Sequence, residues 1–118
     1  MSAKEIFYIE AFVSDLKRSK RFYGETLGWK LNTDLPEVGG FYFGTGYLVV
    51  VADHRPPESR QYAGGMHVEV KVDDVDAEHK RLQQLGVDVS PLSDKPWGER
   101  KFSFKDPDGY LWSYGQPK

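Results

Sequence analysis

The sequence predicts an α+β domain built from two tandem βαβββ modules. Three observations lead there. A strand–helix–strand pattern occurs twice with matching spacing, a hairpin-like segment closes each copy, and a stretch rich in Pro, Gly and charge separates the copies. The chain has 118 residues, a length that suits one domain. With 39% hydrophobic and 14% aromatic residues, it has the material for a modest packed core rather than a disordered tail.

The elements can be justified in order. Residues 7–13 alternate, with Ile9, Ala11 and Val13 on one face and Tyr8, Glu10 and Phe12 on the other, which is the pattern of a half-buried strand. Ser14 or Asp15 then offers an N-cap, and residues 15–27 read as a helix with Leu16, Phe22, Tyr23 and Leu27 as its apolar set. Gly28 suits the position that ends it, and an extended stretch begins at Trp29. In the second copy Val68, Val70 and Val72 alternate with His67, Glu69 and Lys71. Asp73 or Asp74 caps a helix running to Leu85, Gly86 ends it, and Val87-Asp88-Val89 reads as extended. The hairpins are Phe41–Val51 and Phe102–Tyr114, the second turning at Asp106-Pro107-Asp108-Gly109, where Pro presets φ and Gly closes a type I turn.

The register supports a duplication. Val13 to Val72 and Leu16 to Val75 are both 59 residues apart, whereas Leu27 to Leu85 and Gly28 to Gly86 are 58 apart, so the second helix is one residue shorter. Gly46 and Gly109 align at an offset of 63. Module one therefore spans about 5–52, a linker about 53–65, and module two about 66–116.

Composition excludes several classes. There is no cysteine, hence no disulfide and no thiolate metal site. Acidic and basic residues are interspersed at a net charge of −2, without the basic patch a nucleic-acid surface needs. No apolar run reaches the roughly 18 residues of a membrane span, and Met1–Glu5 is not followed by a signal-peptide core. A cytoplasmic protein with no nucleic-acid or membrane partner is expected.

Several motifs carry a family resemblance. Val13-Ser14-Asp15-Leu16, Ser19, Phe22-Tyr23 and Leu27-Gly28-Trp29 resemble the first-helix signature of the vicinal-oxygen-chelate superfamily, the glyoxalase/bleomycin-resistance/dioxygenase proteins. Asp106–Tyr110 resembles its closing hairpin, and Trp97-Gly98, Arg100 and the Phe102/Phe104 strand resemble its bleomycin-resistance-like branch. The resemblance covers nearly the whole chain. It implies that the two modules form a half-open, barrel-like cup, within a chain or across a homodimer, where the superfamily's enzymes hold one divalent metal. It places the four ligand positions at Tyr8, Val50, His67 and Ser113, with Val51 in place of Val50 if the first hairpin is shifted by one.

Of these residues only His67 is a good ligand for a divalent ion. Valine donates nothing, and neutral Tyr and Ser are poor donors. A catalytic site ordinarily has three protein ligands. No cofactor is therefore expected. If a divalent metal does bind, Glu10 and Glu69 are the carboxylates positioned by strand alternation to join His67.

Tyr8, Glu10, Phe12, His67, Glu69 and Lys71 should line the cup, together with Tyr42, which alternates with Phe41 and Phe43. Trp97, in a Pro-Trp-Gly loop, suits stacking against a flat ligand. Trp112 should point into the core and Ser113 into the cup, His54 falls in the linker, and His79 reads as a surface position on the second helix. The expected ligand-binding set is thus Tyr8, Glu10, Tyr42, His67, Glu69, Trp97 and Ser113. The expected function is metal-independent binding of an aromatic antibiotic or metabolite. The alternative is a metal-dependent lyase, isomerase or dioxygenase centred on His67, the one histidine on a predicted cup face.

Overall fold

A computed structural model describes residues 3–118. The chain forms two compact units that divide between Tyr62 and Ala63. No helix among the described residues is long and apolar enough to cross a membrane.

The first unit runs β1 (Ile9–Val13), α1 (Leu16–Arg21), β2 (Lys30–Leu35), β3 (Val38–Phe43) and β4 (Gly46–Ala52). Its sheet has the order β1-β4-β3-β2, with β1 parallel to β4 and the other pairs antiparallel. Asp15 is the N-cap, its carboxylate accepting from the Arg18 amide. α1 leads directly into a π-helical turn at Phe22–Thr26. A π turn is one residue inserted into an α-helix, which explains why the sequence repeat changes from 59 to 58 across this helix. Gly28 follows at φ 75°, the left-handed conformation that glycine adopts most readily.

The second unit repeats the plan with β5 (Val68–Lys71), α2 (Val75–Gln84), β6 (Ser93–Lys95), β7 (Glu99–Lys105) and β8 (Leu111–Pro117), in the sheet order β5-β8-β7-β6. Asp74, not Asp73, is the N-cap, accepting from the Ala77 amide. The closing turn has the expected i→i+3 bond from the Gly109 amide to the Asp106 carbonyl. The buried Asp106 carboxylate also accepts from the Asp108 and Tyr110 amides.

One element differs from expectation. Val87-Asp88-Val89 contributes only a single bridge, Val89 to Phe104, and the regular strand starts at Ser93. Pro91 has no amide to donate to a ladder, and Ser90 bonds to Ser103 through its amide and its hydroxyl instead.

Each sheet is packed on its helix by one face. In the first unit Val13, Tyr23, Phe41, Leu48 and Val50 are fully buried. Trp29 stacks on Phe43 with ring centroids 4.6 Å apart. In the second unit Val75, Leu82, Phe102, Phe104, Trp112 and Tyr114 form the core, with Tyr114 edge-on to both phenylalanines. His79 belongs to this core rather than to the surface. It is half-buried, lies edge-on to Phe102, and its Nε2 is 2.9 Å from the Ser90 carbonyl oxygen. The opposite, open faces of the two sheets carry most of the side chains expected to bind a ligand.

Candidate functional site

The first sheet's open face follows from its register. Glu10 pairs with Val49, which pairs with Gly40 and then Thr33, while Phe12, Val51, Val38 and Leu35 make the next row. Tyr42 and Tyr47 are cross-strand partners on the same face, and Tyr8 continues the alternation of Glu10 and Phe12 one residue before β1. Its polar groups are Glu10, Lys30 (opposite Tyr42), Asn32, Thr33 and the tyrosine hydroxyls, and the rest of this face is aromatic and aliphatic. Tyr8 and Tyr42 are exposed, and Phe12, Tyr47, Val49 and Val51 are half-buried. Edge strand β2 adds exposed Leu35.

One side of this face is closed by the connecting segment. Asp53 has a buried carboxylate held bidentately by Arg55, through Nε to Oδ1 and Nη2 to Oδ2, both at 2.9 Å. The Arg55 hydrogen bonds, joined by its amide and the Tyr62 hydroxyl, hold the Asp53 carboxyl far below the usual carboxylate range despite burial. The Arg55 guanidinium lies 4.1 Å above the Phe12 ring, a cation–π contact that fixes the segment to β1.

The second sheet's open face is polar. Glu69 pairs with Ser113 and Ser113 with Ser103, and the two serine hydroxyls are 2.7 Å apart. Lys101 Nζ is 2.6 Å from Glu69 Oε1, and the Trp97 indole donates to Glu99 Oε1 at 3.0 Å. Glu69 and Glu99 meet over Gly115, whose missing side chain makes the room; Glu69 Oε2 lies 2.9 Å from where a Cβ would stand. The hydrogen bond from Glu99 and the Lys101 ammonium, with a smaller contribution from His67, hold the Glu69 carboxyl below its ordinary value against the opposing effect of burial.

Within each unit, then, the expected residues fall on open faces. Tyr8, Glu10 and Tyr42 share the first. Glu69 and Ser113 adjoin on the second, Trp97 reaches them through Glu99, and His67 is exposed just before β5. Ser113 is buried, with its hydroxyl already engaged by Ser103. Four participants escaped the sequence reading: Tyr47 in the first sheet, and Glu99, Lys101 and Ser103 in the second. The last three had a signal, because Phe102 and Phe104 fix β7's buried side and leave Glu99, Lys101 and Ser103 on the other. Arg100, quoted for its family likeness, lies on the helix side, paired with Asp76 and Asp94.

A family model described as Glyoxalase/Bleomycin resistance protein/Dioxygenase superfamily matches residues 5–114. The chain belongs to this superfamily. Among solved structures, this superfamily member is similar to TnmS3, described as an antibiotic binding protein, from Streptomyces sp. CB03234. The identity is 33% and the TM-score 0.80, covering 100% of this chain and 99% of that one. It is also similar to a glyoxalase/bleomycin resistance protein from the same Streptomyces strain, at 34% identity and TM-score 0.73, covering 92% and 97%. A lactoylglutathione lyase from Agrobacterium tumefaciens shares the fold, at 23% identity and TM-score 0.77 over 98% and 96% of the two chains. A glyoxalase-superfamily fold is thus common to proteins with different activities and does not choose among them.

The superfamily's metal positions can now be read on the structure. Because Glu10 pairs with Val49 as Glu69 pairs with Ser113, the counterpart of Ser113 is Val49. Val50, the position taken from the hairpin count, is fully buried on the helix side, and Val51 lies one row further along the open face. The set Tyr8, Val49, His67 and Ser113 does not fit a divalent ion, since it offers one imidazole, a side chain with no donor atom and a hydroxyl already engaged. Among the described residues no three His, Asp or Glu side chains are grouped to hold a metal.

Proposed function

We propose that this protein binds a small molecule without a metal, sequestering an aromatic antibiotic or metabolite. The observation that carries this reading is the first sheet's open face, where Tyr8, Phe12, Tyr42, Tyr47, Val49 and Val51 lie together with few polar groups. Ligand sites are built this way, from apolar and aromatic walls with a small number of polar contacts that orient the guest. The donor-poor metal positions favour binding over metal-assisted catalysis. The likeness to a protein described as antibiotic binding, over nearly the full length of both chains, supports the same direction. The reading includes a homodimer, consistent with the exposed Leu31 and Leu35 on edge strand β2.

The test is a fluorescence titration of chelator-treated protein with a panel of planar aromatic antibiotics. At least one is expected to bind at about 10 µM or tighter, and Tyr42→Ala should weaken it. Binding that appears only after Mn, Fe, Ni or Zn is added, and that His67→Ala removes, would overturn this reading in favour of the enzyme. Sedimentation analysis checks the dimer.

A further inference from the structure

The first sheet's open face holds a detail that its apolar character does not require. The Tyr47 side chain starts on β4 and crosses β3, so that its phenol lies over Gly40. Its hydroxyl reaches β2, 3.0 Å from Asn32 Nδ2 and 3.0 Å from Thr33 Oγ1. Gly40 is what permits the crossing, because a Cβ there would stand 2.7 Å from Tyr47 Cζ and overlap the hydroxyl. A side chain that spans two strands and is tethered at its far end lies along the sheet rather than standing out from it. Tyr42, its cross-strand partner, stands against it at 4.6 Å between centroids and 60° between ring planes. The Tyr42 hydroxyl has no hydrogen-bond partner among the described residues and is exposed to accept or donate one.

We infer that Tyr47 and Tyr42 form a floor and a wall for a flat aromatic ring system carrying a hydrogen-bond acceptor on its edge, such as a ring carbonyl. Tyr47 supplies the stacking surface, with its hydroxyl engaged by Asn32 and Thr33 on the far side of β3. Tyr42 supplies an edge-to-face contact and a hydroxyl that donates to the acceptor. Gly40, Asn32 and Thr33 are positioning residues. They hold the Tyr47 ring flat before the ligand arrives, which lowers the entropy lost on binding. This specifies the guest of the proposed site and rests on that reading.

Three probes of similar size separate the parts: fluorenone is flat with an edge carbonyl, fluorene is flat without one, and perhydrofluorene is not flat. Equilibrium binding to the full chain should rank them in that order. Tyr42→Phe should erase the preference for fluorenone over fluorene, a loss of about 3- to 10-fold, the range of one hydrogen bond. Tyr47→Leu keeps apolar area but removes the flat ring, and should weaken both flat probes about ten-fold while sparing perhydrofluorene. Thr33→Val, which removes one of the two tether bonds and leaves every ring in place, should give a smaller loss for both flat probes. Urea midpoints for each variant confirm folding. If the wild type binds fluorenone but folded Tyr47→Leu and Tyr42→Phe bind it equally well, the floor and wall are wrong and the binding function stands. If the wild type binds none of the three but does bind an antibiotic of the panel, the floor and wall fall and the binding function stands; if it binds neither set, both fall.

Discussion

The two sheets of this protein have the same strand order and the same pairings, yet their open faces are chemical opposites. Glu10 and Glu69 occupy one shared position. Around them Val49 stands where Ser113 does, Gly40 where Ser103 does, and Val38 where Lys101 does. The helix-side faces have stayed alike, with Phe41 and Phe104 at one position and Leu48 and Trp112 at another, all buried. The difference shows which side of the fold is constrained. The face under the helix must be apolar for the module to fold, whereas the open face can vary. One copy has become an aromatic surface and the other a hydrogen-bonded polar network. Each keeps one glycine beneath its crossing side chains: Gly40 under Tyr47, and Gly115 under Glu69 and Glu99.

The comparison makes predictions of decreasing size. The largest concern the shared side. Phe41→Ala and Phe104→Ala should each lower the unfolding free energy by about 3–5 kcal/mol in urea titrations. Similar losses would confirm that the cores are equivalent, and a large inequality would break the symmetry. Next is Asp53, which pins the connecting segment to the aromatic face. Its carboxyl is held low in the folded state, so its stabilisation is complete at neutral pH and is lost as pH falls below the ordinary carboxylate range near 4. Asp53→Asn should therefore lower the urea midpoint at pH 7, and the gap to wild type should narrow on acidification below pH 4.

A smaller effect belongs to the polar face. Lys101→Met removes the Glu69 ion pair, which is partly exposed, and should cost about 0.5–1 kcal/mol at pH 7. Because Glu69 is also held low, this loss too should shrink as pH drops through its ordinary range. The smallest expected effect is that of metal. Adding Zn, Ni or Mn to chelator-treated protein should move the melting temperature by no more than about 1 °C, since a ligand raises stability only in proportion to its binding.

Most of the architecture was legible because it depends on short-range patterns. Both helix caps, the glycines after the helices and the closing turn all act within four residues. Even the one-residue mismatch between the repeats had a physical meaning, the π turn at Phe22–Thr26. What escaped depended on contacts across strands. The register of β4 is set by where the hairpin closes at Gly44-Thr45, and that choice moves Val49 rather than Val50 onto the open face. Tyr47 fell inside the first hairpin with no role of its own, and nothing local shows that its hydroxyl reaches Thr33 over a glycine. The Asp53–Arg55–Phe12 contact joins residues some 40 positions apart, and β6 shifted because Pro91 and the Ser90–Ser103 bonds ended a stretch that resembled a strand.

The central claim is that the aromatic open face, and not the polar one, receives the ligand, and that no metal is involved. A ¹H–¹⁵N NMR titration of chelator-treated protein with fluorenone tests it most directly. Saturable shifts concentrated at Tyr42, Tyr47, Val49 and Val51 are predicted, with His67, Glu69, Lys101 and Ser113 little changed. Shifts confined to the second group, or appearing only after a divalent metal is added, would contradict it.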